Sequence, residues 1–158
     1  MAVYKVINKS GNYRTDRDVR NVVKYVTSPK KIREGGITGG AVLPEIAADA
    51  MECVTRAFHN TEGLHLRHSV LAFYPEEGLS PDDVKEVARD CLSFYEDDYQ
   101  ILAAVHEDRE HLHIHLVMNT TNYNSGSKYA GTKKDYYDFL DHLNRILAPY
   151  GTHVVAEK

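Results

Sequence analysis

The segment HLHIHL at residues 111–116 alternates histidine with aliphatic side chains. Successive side chains of a β-strand point to opposite faces of a sheet, so this segment predicts a strand with His111, His113 and His115 on one face and an apolar core on the other. A partner strand is predicted over 99–106, and the four charged residues 107–110 form a hairpin turn between them. The pairing expected from this turn places His106 opposite His111, on the histidine face and diagonal to His113.

Three imidazoles on one face are typical of a metal site, because neutral histidine is a good ligand and three protein ligands leave positions open for water or substrate. We predict that His106, His113 and His115 bind a divalent metal ion and that His111 lies outside them, facing a ligand or the substrate. Asp108 can accept a hydrogen bond from a ligand imidazole and support catalysis by fixing its tautomer. The alternatives are a solvated turn acid for Asp108 and a merely polar strand face for the histidines.

The remaining pattern predicts helices packed on a sheet. Strands are expected at 3–8 and 67–74 and at the edge segment 153–156, and helices are expected from Asp16 to Pro29, from Pro44 to Asn60, after Ser80, and over 132–147. The glycine-rich segment 35–40 is expected to be a flexible loop. This order predicts a single α+β domain over 1–158, with a mainly antiparallel central sheet and helices packed on it.

Composition narrows the class of protein. The net charge is −4, which is unusual for a nucleic-acid partner, but nine of the 23 acidic residues and only two of the 19 basic ones lie in 76–98. The rest of the chain is therefore mildly positive. Cys53 and Cys91 have no metal-binding spacing and are expected to be ordinary buried thiols. The chain has no signal peptide and no membrane-length apolar run, so we expect a cytoplasmic protein.

The histidine segment HEDREHLHIHLVMN at 106–119 resembles the third motif of the relaxase/mobilisation nuclease family, HxDxx(H)xHxHxxxN. His106, Asp108, His113, His115 and Asn119 match that motif. The stretch 113–115 also matches the histidine, hydrophobic, histidine signature of the HUH endonuclease superfamily. Two further segments resemble the family: NVVKYVTSPKK at 21–31, its first motif with a helix-borne tyrosine, and HSVLAFYPEEGLSPDD at 68–83, its central strand and following helix.

This resemblance, to relaxases of the MobP/VirD-like conjugative type, implies a DNA relaxase in which Tyr25 is the nucleophile. Such an enzyme nicks one strand at a transfer origin, keeps the cut end as a 5′-phosphotyrosine, and rejoins it reversibly. The resemblance further implies manganese or magnesium as the ion, although three imidazoles by ligand softness suit zinc or nickel. It places Asn119 beside the ligands or facing the substrate. The expected partners are single-stranded transfer-origin DNA and relaxosome accessory and coupling proteins, and 1–158 is expected to be the N-terminal part of a longer protein.

Basic residues in two segments predict the DNA contacts. Lys24, Lys30, Lys31 and Arg33 surround the tyrosine in the sequence, and Lys128, Lys133 and Lys134 lie in a polar segment that also contains tyrosines, a mixture that suits single-stranded DNA. A mobile hydrophilic loop is the alternative for the second segment. For the whole chain, the alternatives are a rolling-circle replication initiator of the HUH type, a phosphodiesterase that uses water in place of tyrosine, and a non-catalytic metal- or DNA-binding accessory module.

Overall fold

The computed structural model describes residues 1–8, 11–29, 32–107 and 111–156, with the backbone but not the side chains of 33–35. Within these ranges the strands are Ala2–Val6 (β1), Ile32–Gly40 (β2), Leu66–Phe73 (β3), Ile101–His106 (β4), Leu112–Asn119 (β5) and Val154–Ala156 (β6). The α-helices are Asp16–Val26 (α1), Ala47–Ala57 (α2), Pro81–Leu92 (α3) and Lys133–Leu147 (α4). None of the helices in these ranges is long and apolar enough to cross a membrane.

The strands form one six-stranded sheet in the order β2-β4-β5-β3-β1-β6. Neighbouring strands are antiparallel except for β1 and β6, which are parallel. The predicted α+β class and mainly antiparallel sheet are therefore confirmed. The two central strands, β3 and β5, pair over eight residues, from Leu66 opposite Asn119 to Phe73 opposite Leu112.

One face of the sheet carries the larger apolar core, against α3 and α4. Alternate residues of the central strands point into it, so Leu71 and Phe73 of β3 pack with Ile114 and Leu116 of β5. Val84, Val87, Ala88, Cys91 and Leu92 line the buried side of α3. This apolar face accounts for the aliphatic half of the β5 alternation, and it buries Cys91 as expected, whereas Cys53 is exposed.

The opposite face packs a smaller core against α1 and α2. The buried stripe of α1 is Val19, Val23 and Val26, at the spacing of one helical face. It packs with Met51 of α2 and with small or β-branched strand residues such as Val117. Helix α1 begins at Asp16, as expected, and its N-cap is Thr15, whose hydroxyl accepts the backbone N–H of Asp18.

The glycine-rich segment 35–40 is not a loop, as the sequence suggested, but part of the edge strand β2, paired with β4 through an irregularity between Ile32 and Ile37. Its glycines are needed because other groups approach closely. A Cβ on Gly39 would lie 2.1 Å from the carbonyl oxygen of Val42, and one on Gly40 would lie 2.7 Å from Cβ of Glu96. Glycine within a strand commonly marks such an irregularity or close approach, which local propensity does not register.

Candidate functional site

The register of the β4–β5 hairpin brings His106 directly opposite His113, with His115 opposite Ala104. The predicted pairing of His106 with His111 is wrong, because β5 begins at Leu112 and leaves His111 in the turn. Directly opposed side chains of an antiparallel pair lie on the same face. His106, His113 and His115 therefore share the face covered by α1 and α2, as predicted, although by a different register.

His106 and His115 are the tightest pair of this group, with ring centroids 4.1 Å apart. His106 is 1% exposed and His115 8%, whereas His113 is half-buried and its ring lies 6.4 Å from that of His115. His111 lies at the margin, 4.4 Å from His113 and stacked on Tyr74. The histidines thus form a line from the buried interior to the exposed turn of the hairpin.

Tyr25 lies in the last turn of α1 and is 45% exposed. Its ring centroid is 5.9 Å from that of His106 and 5.9 Å from that of His115. His106 also donates a hydrogen bond from Nε2 to the carbonyl oxygen of Val26, at 2.8 Å, which ties the imidazole to the residue after the tyrosine. A phenol of α1 and two imidazoles of the sheet can therefore contact one small group at the same time.

A buried hydrogen-bond chain supports His115 from behind. His68 Nε2 lies 2.9 Å from His115 Nδ1, and His68 Nδ1 lies 3.0 Å from the hydroxyl of Tyr13. Burial, and secondarily repulsion by His106, lowers the pKa of His68 to about 4, so this imidazole is neutral at physiological pH. Sequence reasoning missed His68 and Tyr13. His68 belongs to a quoted segment, but its position on the histidine face depends on the β3–β5 register.

The donor chemistry of this group suits a metal ion in part. The Nε2 of His106 carries a hydrogen, because a carbonyl can only accept, so its neutral form has the lone pair on Nδ1. An outer hydrogen-bond partner of this kind is usual for metal-binding histidine. As the side chains lie, however, the described part of the chain contains no group of three or more His, Cys, Asp or Glu residues that could hold an ion. The three-histidine ligand set stays a prediction, and Asp108 lies outside the described residues.

Asn119 does not face this group. It is 1% exposed, and its amide donates to the carbonyl oxygen of Met51 and to Gln100 Oε1, while its Oδ1 accepts from the backbone of Thr121 and from Thr55. These bonds join α2 to the end of β5 and to the start of the following segment. These bonds give Asn119 a buried anchoring role, and its predicted role beside the ligands or the substrate stays a prediction.

The segment after Asn119 is fixed to the domain at several points. The Thr120 hydroxyl donates to the carbonyl oxygen of Leu64 at 2.6 Å, and the Tyr123 hydroxyl donates to that of Glu96 at 2.6 Å. Thr121 and Lys128 form a β-bridge, and the amide of Asn60 donates to the carbonyl oxygen of Gly126. The alternative of a mobile hydrophilic loop therefore does not describe this segment.

The predicted DNA-contacting residues are distributed over different parts of the domain. Lys24 is exposed on α1 beside Tyr25, and Lys128 is exposed on the segment after β5. Lys133 and Lys134 are exposed at the start of α4, where Lys134 pairs with Asp138. Lys30 and Lys31 lie outside the described residues, as does the side chain of Arg33. Of the predicted contacts whose side chains are described, Lys24 alone lies on the helix of Tyr25.

A cavity of about 390 Å³ opens beside the nucleophile candidate, between α1 and the end of β1. Tyr25, His68 and Tyr13 form one side of its lining, and Asn21 and Asp18 of α1 contribute polar groups. Its volume lies within the usual range of small-molecule sites. The phenol thus lies at the margin of a space large enough to hold part of a substrate.

Comparison with known proteins identifies the family. The relaxase family model, described as the MobA/VirD2-like nuclease domain, matches residues 25–152, a segment that starts at Tyr25 and includes the histidine hairpin. The group II intron-interrupted relaxase LtrB of Lactococcus lactis subsp. cremoris (strain MG1363) is 35% identical over 145 residues, covering 75% of this chain and 26% of that protein. Protein rlx of Staphylococcus aureus is 27% identical over 104 residues, covering 66% of this chain and 32% of that protein.

The chain thus spans between a quarter and a third of the length of these curated relatives. A structure reported under "Molecular Basis of Vancomycin Resistance Transfer in Staphylococcus aureus" aligns with a TM-score of 0.47 at 15% identity, covering 66% of this chain and 63% of that one. The family model alone matches well over half of the residues, and it includes both Tyr25 and the histidine hairpin. The chain belongs to the relaxase family, as a MobA/VirD2-like nuclease domain.

Proposed function

We propose that this domain nicks one DNA strand at a specific site of a transfer origin by transesterification to Tyr25. The observation that carries the proposal is the position of the Tyr25 ring, 5.9 Å from both His106 and His115 and 45% exposed at the edge of a cavity. A nucleophile needs this combination of access to a substrate and proximity to groups that stabilise charge.

In the proposed reaction the Tyr25 oxygen attacks the scissile phosphorus as the phenol proton passes to water. The bond from phosphorus to the 3′ oxygen breaks, and that oxygen takes up a proton to become a 3′ hydroxyl. The 5′ phosphate stays on the tyrosine as a phosphodiester, so attack by a 3′ hydroxyl reverses the step. A free tyrosine has a pKa near 10, so the phenol needs nearby positive charge, and the exposed Lys24 on the same helix turn contributes to it.

His106, His113 and His115 would hold a divalent ion, which we expect to be manganese or magnesium. When bound, such an ion polarises the non-bridging phosphate oxygens and stabilises the charge that develops as the phenol attacks. The residues around the site fix the imidazoles for this role. If His115 binds through Nε2, its Nδ1 must donate to His68, and His68 in turn donates from Nδ1 to the Tyr13 oxygen.

The proposed partners follow from the same chemistry. Single-stranded transfer-origin DNA is the proposed substrate, because the scissile phosphate of one strand has to reach the buried end of the histidine line. This chain covers 26% of the length of the relaxase LtrB. For the whole protein, relaxosome accessory and coupling proteins are the proposed partners. A rolling-circle initiator would use the same site on a different DNA sequence.

The test is covalent capture of the DNA. Wild-type protein is incubated with manganese and single-stranded oligonucleotides, 5′-labelled or 3′-labelled, that cover the transfer origin of the element encoding the protein. Label 3′ to the cut is expected to remain on the protein in a denaturing gel, and label 5′ to it is expected on a shorter free strand. Tyr25→Phe should abolish the adduct, while the matched control Tyr137→Phe, which changes another exposed tyrosine, should retain it. Cleavage without an adduct would support the phosphodiesterase, and an adduct that persists in Tyr25→Phe would assign the nucleophile to another residue.

A further inference from the structure

A second cavity of about 390 Å³ lies beside the start of β3, between that strand and the segment after β5. Two cationic side chains line it, Arg67 and Lys128, together with Asn8, Tyr129 and Gly131. Among the described residues that line it there is no aspartate or glutamate. In a chain of net charge −4, a cavity whose described lining has two cationic side chains and no carboxylate is suited to an anion.

Arg67 is the stronger indication of a ligand. Its guanidinium carbon lies 5.1 Å from the centre of the Tyr129 ring, and the group also contacts the buried hydroxyl of Tyr4. Its Nε is buried without a hydrogen-bond partner among the described residues. Burial disfavours the charged form of Arg67, but the neighbouring Tyr4, Tyr129 and Tyr95 side chains outweigh it, so the pKa of Arg67 is raised. A desolvated guanidinium is normally paired with an acid, and this partly buried one forms no salt bridge among the described residues.

The acid that is bonded to Tyr129 is already engaged. Asp135 accepts hydrogen bonds from the hydroxyls of Tyr95 and Tyr129 and lines a different cavity, on which Tyr129 also borders. These bonds hold the Tyr129 ring in place. The ring then supports Arg67 on its face, so the guanidinium is fixed before any ligand arrives, which reduces the entropy lost on binding.

Lys128 contributes the second charge. Its side chain is exposed, and its ammonium donates to the carbonyl oxygen of Asn60 at 3.3 Å. The β-bridge between Thr121 and Lys128 holds the backbone at this position.

The two cavities are neighbours along the chain. Ile7 lines the cavity beside Tyr25, and the next residue, Asn8, lines the cavity of Arg67 and Lys128. The side chain of Asn8 donates to the carbonyl oxygen of Leu66 and accepts from the backbone N–H of His68, so it is fixed between Arg67's strand neighbours. The two cavities are therefore lined by consecutive residues of the chain, Ile7 and Asn8.

We propose that the cavity of Arg67 and Lys128 is a second DNA subsite, which binds the phosphate of a nucleotide close to the cleaved one. This inference rests on the proposed nicking function, because that function identifies the bound anion as a phosphate of the substrate strand. The subsite would set the register of the strand: binding one phosphate here fixes which phosphate reaches Tyr25.

The first experiment measures binding without cleavage. Fluorescence anisotropy of a labelled oligothymidylate is recorded with the protein in EDTA over a range of salt concentrations. Lys128→Ala is expected to weaken binding about three- to tenfold at low salt. It should also reduce the steepness with which the logarithm of the binding constant falls with the logarithm of the salt concentration by about 0.7, the value for one lost phosphate contact on a single strand. Lys85→Ala is the matched control, because this lysine lies on α3, away from the predicted DNA contacts, and pairs with Asp82. Arg67→Gln gives the same comparison for the buried charge, with its fold checked by circular dichroism.

The second experiment locates the phosphate. In the origin oligonucleotide, each phosphate in turn is replaced by an uncharged methylphosphonate. Wild type and Lys85→Ala should lose affinity at a particular position near the cut, and Lys128→Ala should be insensitive there. Equal affinities of Lys128→Ala, Arg67→Gln and the control at every position would overturn the subsite. Competition by inorganic phosphate as effective as that of the oligonucleotide would also overturn it, in favour of a free-anion site.

The two proposals can fail separately. If the Tyr25 adduct forms but neither Lys128→Ala nor Arg67→Gln affects binding, the nicking function stands and the subsite does not. If both variants lower oligothymidylate affinity and salt dependence but wild type forms no adduct, the domain binds a strand through this cavity and the nicking function fails.

Discussion

The two faces of the central sheet are formed by the same strands but have different contents. On the α3/α4 side, β5 contributes Ile114 and Leu116 to a continuous apolar core. On the α1/α2 side the same strand contributes His113, His115 and the buried Asn119. Because side chains alternate, a shift of one residue would exchange the two sets. Strand β5 thus supplies stability on one face and chemistry on the other, and we expect that the two properties can be separated by mutation.

The largest expected effect is on the histidine face. His115→Ala should slow formation of the DNA adduct by about a thousandfold, because loss of an ion that provides several kcal/mol of charge stabilisation has that effect on rate. The adduct is quantified by denaturing gel over a time course with manganese, and manganese binding is followed by calorimetry. Leu116→Ala, one residue along the strand, is the control. A His115→Ala rate within tenfold of wild type would remove His115 from the proposed ligand set.

Leu116→Ala tests the opposite face. The side chain is 2% exposed in the larger core, so its truncation should lower the free energy of unfolding by about 2–5 kcal/mol, from lost burial and the cavity left behind. Urea denaturation measures this loss. Adduct formation per folded molecule should remain close to wild type at low temperature. If activity were lost in protein that is still fully folded, the two faces would not be as independent as the structure indicates.

Acid sensitivity is expected to come from the histidine face as well. Burial lowers the pKa of His68 from 6.5 to about 4, so between these values the unfolded chain binds a proton that the folded chain does not. The stability associated with neutral His68 is thus fully present above pH 6.5 and decreases as the pH falls toward 4, by about 2–3 kcal/mol at pH 4.5. Urea titrations in EDTA at several pH values measure it. His68→Gln, which cannot titrate, should flatten this part of the profile, and an unchanged profile would attribute acid sensitivity to other groups.

Much of this site could be predicted from the sequence, because strand alternation is a local property. The period-two pattern placed His113 and His115 on one face, and the helical spacing of valines placed Tyr25 in the last turn of α1. The position of His106 opposite His113 was missed because it depends on where the turn ends, which local pattern does not determine. A shift of the turn by one residue changes every pair in the hairpin.

The features that the sequence did not indicate all depend on distant contacts. Tyr13 and His68 meet across 55 positions, and the role of Asn119 depends on α2, which is 64–68 positions away. The strand character of 35–40 depends on pairing with β4, which overrides the low strand propensity of glycine. Arg67 showed no motif at all, and its isolation from carboxylates is visible only once the sheet brings it against Tyr4 and Tyr129.

The smallest expected effect compares two helix caps, one on each side of the sheet. The hydroxyls of Thr15 and Ser80 each accept a hydrogen bond from the backbone N–H three residues on. In return, the carboxylates of Asp18 and Asp83 accept hydrogen bonds from the backbone N–H groups of Thr15 and Ser80. Replacing either cap by alanine should lower the free energy of unfolding by about 1 kcal/mol, since both boxes lose the same bond.

Only α1 carries Tyr25, so Thr15→Ala should also slow adduct formation, by up to about fivefold if the whole 1 kcal/mol is lost from the aligned helix. Ser80→Ala should leave that rate unchanged, because α3 packs on the apolar face and contributes no residue to the histidine line. Equal rates for the two variants, measured at matched stability, would mean that the start of the helix does not align Tyr25. The alignment would then depend on the bond from His106 to Val26 and on the buried valines Val19, Val23 and Val26.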